Sequence, residues 1–201
     1  TVGDYALFGG GTGNSAVVDA YNTSLTRSIP TPLSVARDGL SATTVGDYAL
    51  FGGGNTGTAE STIVDAYNTS LIRSTPTALS GVGRYDIGAT TVGDYALFGG
   101  GTGNSAVVNA YNTSLTRSIP TPLNEGRFSM GATTVGNYAL FGGGYGGVSS
   151  AAVDAYNTSL TRSIPTPLSV ARYALNATTV GNYALFGGGL SSVVVDAYEY
   201  K

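Results

Sequence analysis

The 201-residue sequence predicts an all-β protein made of four-stranded antiparallel units in tandem, and three observations carry that expectation. A segment V-G-[DN]-Y-A-L-F-G-G-G recurs at Val2, Val45, Val92, Val135 and Val180. Two further segments keep step with it: [DN]-A-Y ends at Tyr21, Tyr67, Tyr111, Tyr156 and Tyr198, and a run beginning Asn-Thr-Ser-Leu closes at Arg37, Arg84, Arg127 and Arg172. The composition agrees, because 31 Gly with only 10% charged residues disfavours long amphipathic helices and favours short strands joined by tight turns. The Arg-to-Arg spacings of 47, 43 and 45 residues exceed those of leucine-rich or ankyrin units and lie in the range of propeller blades.

Within each unit four strands are expected, ordered from a hub to a rim. Ala42-Thr43-Thr44-Val45 and its copies are small enough for a strand crowded near an axis. Tyr48-Ala49-Leu50-Phe51 is apolar throughout, as a strand covered on both faces requires. Val17 to Tyr21 sets Asp19 into an apolar β-branched run, which implies partial exposure or a satisfied buried hydrogen bond. Thr26-Arg27-Ser28-Ile29-Pro30 is polar and carries a proline, which suits a strand with one unpartnered edge. Gly46-Asp47 places Gly first in a type II′ hairpin, and Asn22-Thr23-Ser24 is built of turn formers.

Phe-Gly-Gly closing the second strand, a Tyr about a dozen residues later, a polar fourth strand and then Pro and Arg together resemble the kelch motif. The resemblance rests on Phe8-Gly9-Gly10, Phe51-Gly52-Gly53, Phe98-Gly99-Gly100, Phe141-Gly142-Gly143 and Phe186-Gly187-Gly188, on the five Tyr and on the four Arg, and it covers essentially the whole chain. It departs in one respect: kelch units usually carry a Trp opening the fourth strand, where Ser28, Ser74, Ser118 and Ser163 stand here, so packing between units must use something smaller. The resemblance implies a single kelch-type β-propeller over 1–201, with blades at about 1–37, 38–84, 85–127, 128–172 and 173–201. The fifth blade has no fourth strand, so the expectation is either a five-bladed ring with an incomplete last blade or an excerpt of a larger ring. Repeats this alike also resemble bacterial surface proteins and bacteriophage tail or fibre proteins.

In such a meander the links alternate between two faces. One face is monotonous: Gly-Asp or Gly-Asn, then Asn-Thr-Ser-Leu. The other varies in both sequence and length, through the stretches after the triple glycines and through the residues after each Arg, which read Asp38-Gly39, Tyr85-Asp86, Phe128-Ser129 and Tyr173-Ala174. If drift alone acted on exposed loops both faces should diverge alike, so the variable side reads as a recognition surface, unless the Asn-Thr-Ser turns simply tolerate less change. The candidate ligand-binding residues are Arg37, Asp38, Arg84, Tyr85, Asp86, Arg127, Phe128, Tyr145, Arg172 and Tyr173. Aromatic rings there offer rigid contacts and the charged groups polar ones. The four Arg have a second reading, as donors to carbonyls of the blade-to-blade link.

Other chemistry is poorly provided for. With no His and no Cys the chain cannot build a Ser-His triad, a zinc site or the tyrosine-cysteine copper centre of the kelch oxidases, and no enzyme activity or cofactor is expected. Triple glycines without a following helix or Gly-Lys-Ser/Thr do not make a phosphate loop. Asp19, Asp65 and Asp154 share a register with Asn109, a swap no essential carboxylate survives, so they read as structural. The Asn-Thr-Ser sequons likewise read as copies of one turn. A net charge of -3 provides no field for nucleic acid, and no apolar run approaches the ~18 residues of a membrane span. The sequence thus predicts a non-catalytic module, extracellular or on a cell or virion surface, binding a protein or a glycan. The rival expectation is a spacer or self-assembling scaffold with no specific ligand.

Overall fold

The computed structural model describes residues 1–190 and 192–201; the variable link Leu190-Ser191-Ser192 therefore falls partly outside the described residues. Five antiparallel sheets follow one another along the chain, and the described residues contain no helix. The first sheet holds β1 (Tyr5–Gly9), β2 (Val18–Asn22) and β3 (Arg27–Ser28). The second holds β4 (Ser41–Val45), β5 (Tyr48–Gly52), β6 (Val64–Asn68) and β7 (Arg73–Ser74), the third β8 (Gly88–Val92), β9 (Tyr95–Gly99), β10 (Val108–Asn112) and β11 (Arg117–Ser118). The fourth is built of β12 (Gly131–Val135), β13 (Tyr138–Gly142), β14 (Val153–Asn157) and β15 (Arg162–Ser163), the fifth of β16 (Leu175–Val180), β17 (Tyr183–Gly188) and β18 (Val195–Glu199). Each sheet is a simple meander in sequence order, an all-β, propeller-like arrangement. No strand pairing joins the fifth sheet to the first among the described residues.

The small first strands lie side by side, β4 on β8, β8 on β12 and β12 on β16. Threonine suits that crowding because its hydroxyl bonds the neighbouring strand: Thr43 to Thr91 at 2.8 Å, Thr90 to Thr134 at 2.7 Å and Thr133 to Thr179 at 2.9 Å. Ser41, Ile87, Met130 and Leu175, at or just before the starts of these strands, surround one shallow opening.

The all-apolar second strands are covered on both faces as their composition requires; β5, β9 and β13 bury every residue after the opening Tyr. No Trp fills the space between sheets. Instead each Phe lies on a glycine of the preceding sheet: a Cβ placed on Gly9, Gly52, Gly99 or Gly142 would come within 3.0, 2.8, 3.1 and 2.7 Å of Phe51, Phe98, Phe141 and Phe186. The edge of a Tyr then closes on the ring, as Tyr67 does on Phe51 at 5.8 Å and 89°. That Tyr is anchored in turn, its hydroxyl donating to the incoming link, Tyr67 to Thr31 O at 2.8 Å and Tyr111 to Thr77 O at 2.7 Å. Burying each such Phe is worth about 1.5–3 kcal/mol.

The rim strands are shorter than expected, two residues each, because only Arg and Ser of the Thr-to-Pro run pair with the third strand. On the monotonous face Gly46 alone of its turn takes positive φ (+50°), as a type II′ hairpin demands. The Asn-Thr-Ser turn is held by its asparagine: Asn68 Oδ1 accepts from Ser70 N at 3.0 Å and Ile72 N at 2.9 Å, and Leu71 takes the left-handed conformation (φ +61°). Its threonine also packs on the preceding sheet, Thr69 on Gly3 and Thr113 on Gly46. Two contacts per turn thus account for the constancy of this face without any functional argument. The contrast between faces does not by itself mark a recognition surface, so that reading must rest on what the variable side contains.

Buried arginine rivets and a candidate recognition face

The side chains of the four repeat-end arginines do not reach the surface of that side. Arg37, Arg84, Arg127 and Arg172 are between 0 and 2% exposed, among the most deeply buried side chains of the protein. They are removed from the candidate ligand-binding set, and the expected bonds to link carbonyls are found for three of them, Arg84 to Ser80 O at 2.9 Å, Arg127 to Glu125 O at 3.2 Å and Arg172 to Val170 O at 3.1 Å, but not for Arg37. Each backbone carbonyl accepts from the last of the three glycines in the preceding sheet, as Arg37 O does from Gly11 N at 3.0 Å and Arg84 O from Gly54 N at 3.0 Å. The side chains of Arg37, Arg127 and Arg172 hydrogen-bond the following sheet. Arg37 donates to Gly53 O at 2.8 Å and Ile63 O at 2.7 Å; Arg127 donates to Gly143 O at 2.8 Å and Phe141 O at 3.2 Å.

A buried guanidinium needs a counter-charge, and the third-strand acid provides it. Arg37 pairs with Asp65, Arg127 with Asp154 at 2.7 Å and Arg172 with Asp196 at 2.7 Å. Asp65 and Asp154 are fully buried, so the carboxylate in the apolar third strand is a satisfied ion pair rather than an exposed group. The same acids take a backbone N–H from the link, Ser34 N to Asp65 at 3.0 Å and Asn124 N to Asp154 at 2.8 Å. The third sheet breaks the pattern. Asn109 stands in the acid's place and its Oδ1 still accepts from Ser80 N at 2.9 Å, but Arg84 has only Ser80 O as a partner, at 2.9 Å, while its Nε and Nη2 and the Asn109 amide nitrogen have none. Burial pushes the Arg84 guanidinium below its usual pKa, with Tyr111 opposing the shift.

The variable side is knit together by the backbone. The residue after each Arg pairs with the residue after the triple glycine of the next sheet: Asp38 with Asn55 at 2.9 and 2.8 Å, Phe128 with Tyr145 at 3.1 and 2.9 Å, Thr102 N to Tyr85 O at 3.1 Å and Leu190 N to Tyr173 O at 3.0 Å. One residue further on, Gly39, Asp86, Ser129 and Ala174 all adopt positive φ between 51° and 56° and hand one hydrogen bond from sheet to sheet, Asp86 N to Gly39 O, Ser129 N to Asp86 O and Ala174 N to Ser129 O, at 2.8 to 3.0 Å. The two kinds of variable loop therefore do share one face.

On this frame three of the four predicted aromatics meet. Tyr145 stands between Phe128, at 5.6 Å and 65°, and Tyr173, at 5.1 Å and 61°. All three are half-buried. Tyr85 joins no ring pair and lies over Gly39 instead, where a Cβ would come within 3.2 Å of it. Asp38 and Asp86 lie on the Tyr85 side. Burial raises the Asp86 carboxyl, and nearby Asp38 adds to the shift against a 3.4 Å hydrogen bond from Ser129.

No family model matches the chain. No curated protein matches it either. Among solved structures it is similar to that of YjhT, with a TM-score of 0.73 at 14% identity over 98% of this chain and 78% of that one. At that identity the likeness concerns the fold alone.

Sequence reasoning placed Asn55, Thr102 and Leu190 and the ladder positions Gly39, Ser129 and Ala174 on the variable face but did not show that they pair. None carries a recurring side chain, because the contacts are made by backbone atoms. The Arg–Asp pairing did leave a signal, an acid at one register of the third strand in every unit but the third and an Arg at the end of each of the first four, in a chain only 10% charged.

Proposed function

We propose that the chain is a kelch-type β-propeller, five-bladed with an incomplete last blade, that acts as a non-catalytic recognition module. Its ligand is a glycan or a protein, held on the face formed by the second-to-third-strand loops and the sheet-to-sheet links. The observation that carries this reading is the Phe128–Tyr145–Tyr173 cluster: three half-buried rings in contact, set by backbone hydrogen bonds rather than by core packing. Aromatic groups held rigid on a surface lose little entropy on binding and dominate recognition sites. Tyr85, Asp38 and Asp86 extend the same face with a ring and two carboxylates, the polar complement of a sugar hydroxyl or a peptide N–H. The kelch assignment is supported by the recurring Phe-Gly-Gly, Tyr and Arg, now seen as one packing unit. Exposure on a cell or virion surface, within an adhesin or fibre, accords with a chain whose loops vary while its scaffold repeats.

A glycan array and a pull-down with the 201-residue chain test the proposal. Binding that survives replacement of Phe128, Tyr145 and Tyr173 by alanine would remove the face from consideration. A glycan hit without a protein hit, or the reverse, decides the ligand class.

A further inference from the structure

In the second and fourth sheets the buried acid of the third strand faces two arginines. Asp65 pairs with Arg37 and, at 3.5 Å, with Arg73; Asp154 pairs with Arg127 at 2.7 Å and with Arg162 at 3.5 Å. Of the two carboxylate oxygens, Oδ1 accepts from the backbone of the link and Oδ2 takes Nη2 of the repeat-end Arg. The third sheet keeps both arginines, as Arg84 and Arg117, and puts Asn109 in the acid's place. Its Oδ1 still faces the link, accepting from Ser80 N and Ser80 Oγ, each at 2.9 Å. That fixes the other end of the amide: Nδ2, a donor, stands at the register where the other sheets have an acceptor. Arg84 is tied to the same residue, Nη1 to Ser80 O at 2.9 Å, so its guanidinium and the Asn109 amide share one neighbourhood. Arg84 and Asn109 are 1 and 0% exposed, yet Nη2 and Nδ2 have no partner. Unpartnered Nε is common to Arg37 and Arg172, so Nη2 and Nδ2 are what set this sheet apart. Arg117 bonds only Ala78 O, and among the described residues neither Arg84 nor Arg117 is in an ion pair.

We propose that Arg84 and Asn109 bind a chloride ion, held by Nη2 and Nδ2 in place of the carboxylate oxygen of the other sheets. Buried N–H groups require an acceptor, and a guanidinium cannot shed its proton to escape the demand. The acceptor is charged, because a buried cation without a counter-charge is costly and Arg117 adds a second charge of the same sign. Water would satisfy the N–H groups and leave both charges unbalanced. The acceptor is also monatomic: phosphate or sulfate would bring more oxygens than there are unpartnered donors, into a site closed to solvent. The site lies inside the scaffold and does not rest on the recognition face.

Urea unfolding of the 201-residue chain at neutral pH, with sodium gluconate replaced stepwise by sodium chloride at constant ionic strength, tests the proposal. Only the folded chain holds the site, so above the dissociation constant each tenfold rise in chloride multiplies the folding constant by about ten relative to a chain without it. Asn109→Asp is such a chain, because its carboxylate supplies the acceptor and the fold is kept. Arg84→Met is a second, lacking both the donor and the charge. The parent therefore gains stability from chloride over both variants, which share whatever general effect the salt exchange has. A crystal of the parent soaked in sodium bromide shows anomalous density bonded to Arg84 Nη2 and Asn109 Nδ2. The proposal is overturned if the parent and Asn109→Asp respond alike to chloride, if Arg84→Met retains the parent's gain, or if the bromide crystal has no anomalous density at that site.

Discussion

Replacing Asn109 by Asp restores the ion pair that the third sheet lacks. The local geometry is ready for it: Oδ1 already accepts from Ser80, the amide nitrogen has no partner to lose, and Arg84 Nη2 and Nε are buried without one. Stranding one member of a buried pair costs about 3–5 kcal/mol, and since some of that is relaxed locally, a gain of about 2 kcal/mol is expected on restoring it. In a chain of this size that raises the melting temperature by about 4–8 °C. Thermal unfolding of Asn109→Asp and the parent at neutral pH measures the effect. The reciprocal pair is a control, because Arg84→Met removes an uncompensated charge at little cost whereas Arg127→Met strands Asp154 and costs about 3 kcal/mol. A neutral-pH midpoint of Asn109→Asp equal to or below the parent's refutes the reasoning.

Two positions with the same local sequence differ sharply in consequence. Phe98→Ala empties a fully buried site and costs about 3–5 kcal/mol, whereas Phe8→Ala, in dilute solution, changes stability by about 0.5 kcal/mol; urea midpoints compare them, and equal losses would show that the first sheet is not an open end. Burial, reinforced by Asp65, pushes the Tyr67 phenol up to about 12. Its neutral form therefore stabilises the fold fully below the unfolded pKa of about 10, and that contribution disappears as pH rises through about 12; ultraviolet titration is expected to show exposed tyrosines ionising first and Tyr67 only as the protein unfolds, and a single transition near 10 would contradict it.

Much of the fold could be read in advance because each strand's composition answers a different environment. Ala-Thr-Thr-Val is small at the axis, Tyr-Ala-Leu-Phe is apolar where both faces are covered, and Arg-Ser borders the rim. What composition could not reveal is how a chain without Trp fills the space between sheets, since a glycine shows nothing of the ring lying on it. The candidate site was legible only in part. Arg37, Arg84, Arg127 and Arg172 left two readings open, a surface group or a donor to link carbonyls, because arginine is rarely buried unless paired and the acids that pair with three of them lie 24 to 28 residues away across loops of unequal length. Tyr145 and Phe128 could be assigned to one face but not to one contact, which depends on backbone pairing that side chains do not encode.

The rungs between Asp38 and Asn55 or Phe128 and Tyr145 use only main-chain atoms, and so do the steps from Gly39 through Asp86 and Ser129 to Ala174. The rungs are therefore indifferent to the side chains they carry, whereas the left-handed steps at Gly39, Asp86, Ser129 and Ala174 admit few residue types. New residues can be grafted at Asp38, Asn55, Phe128 and Tyr145 without removing a bond of the junction, which makes those positions a starting point for selecting binders from a randomised library.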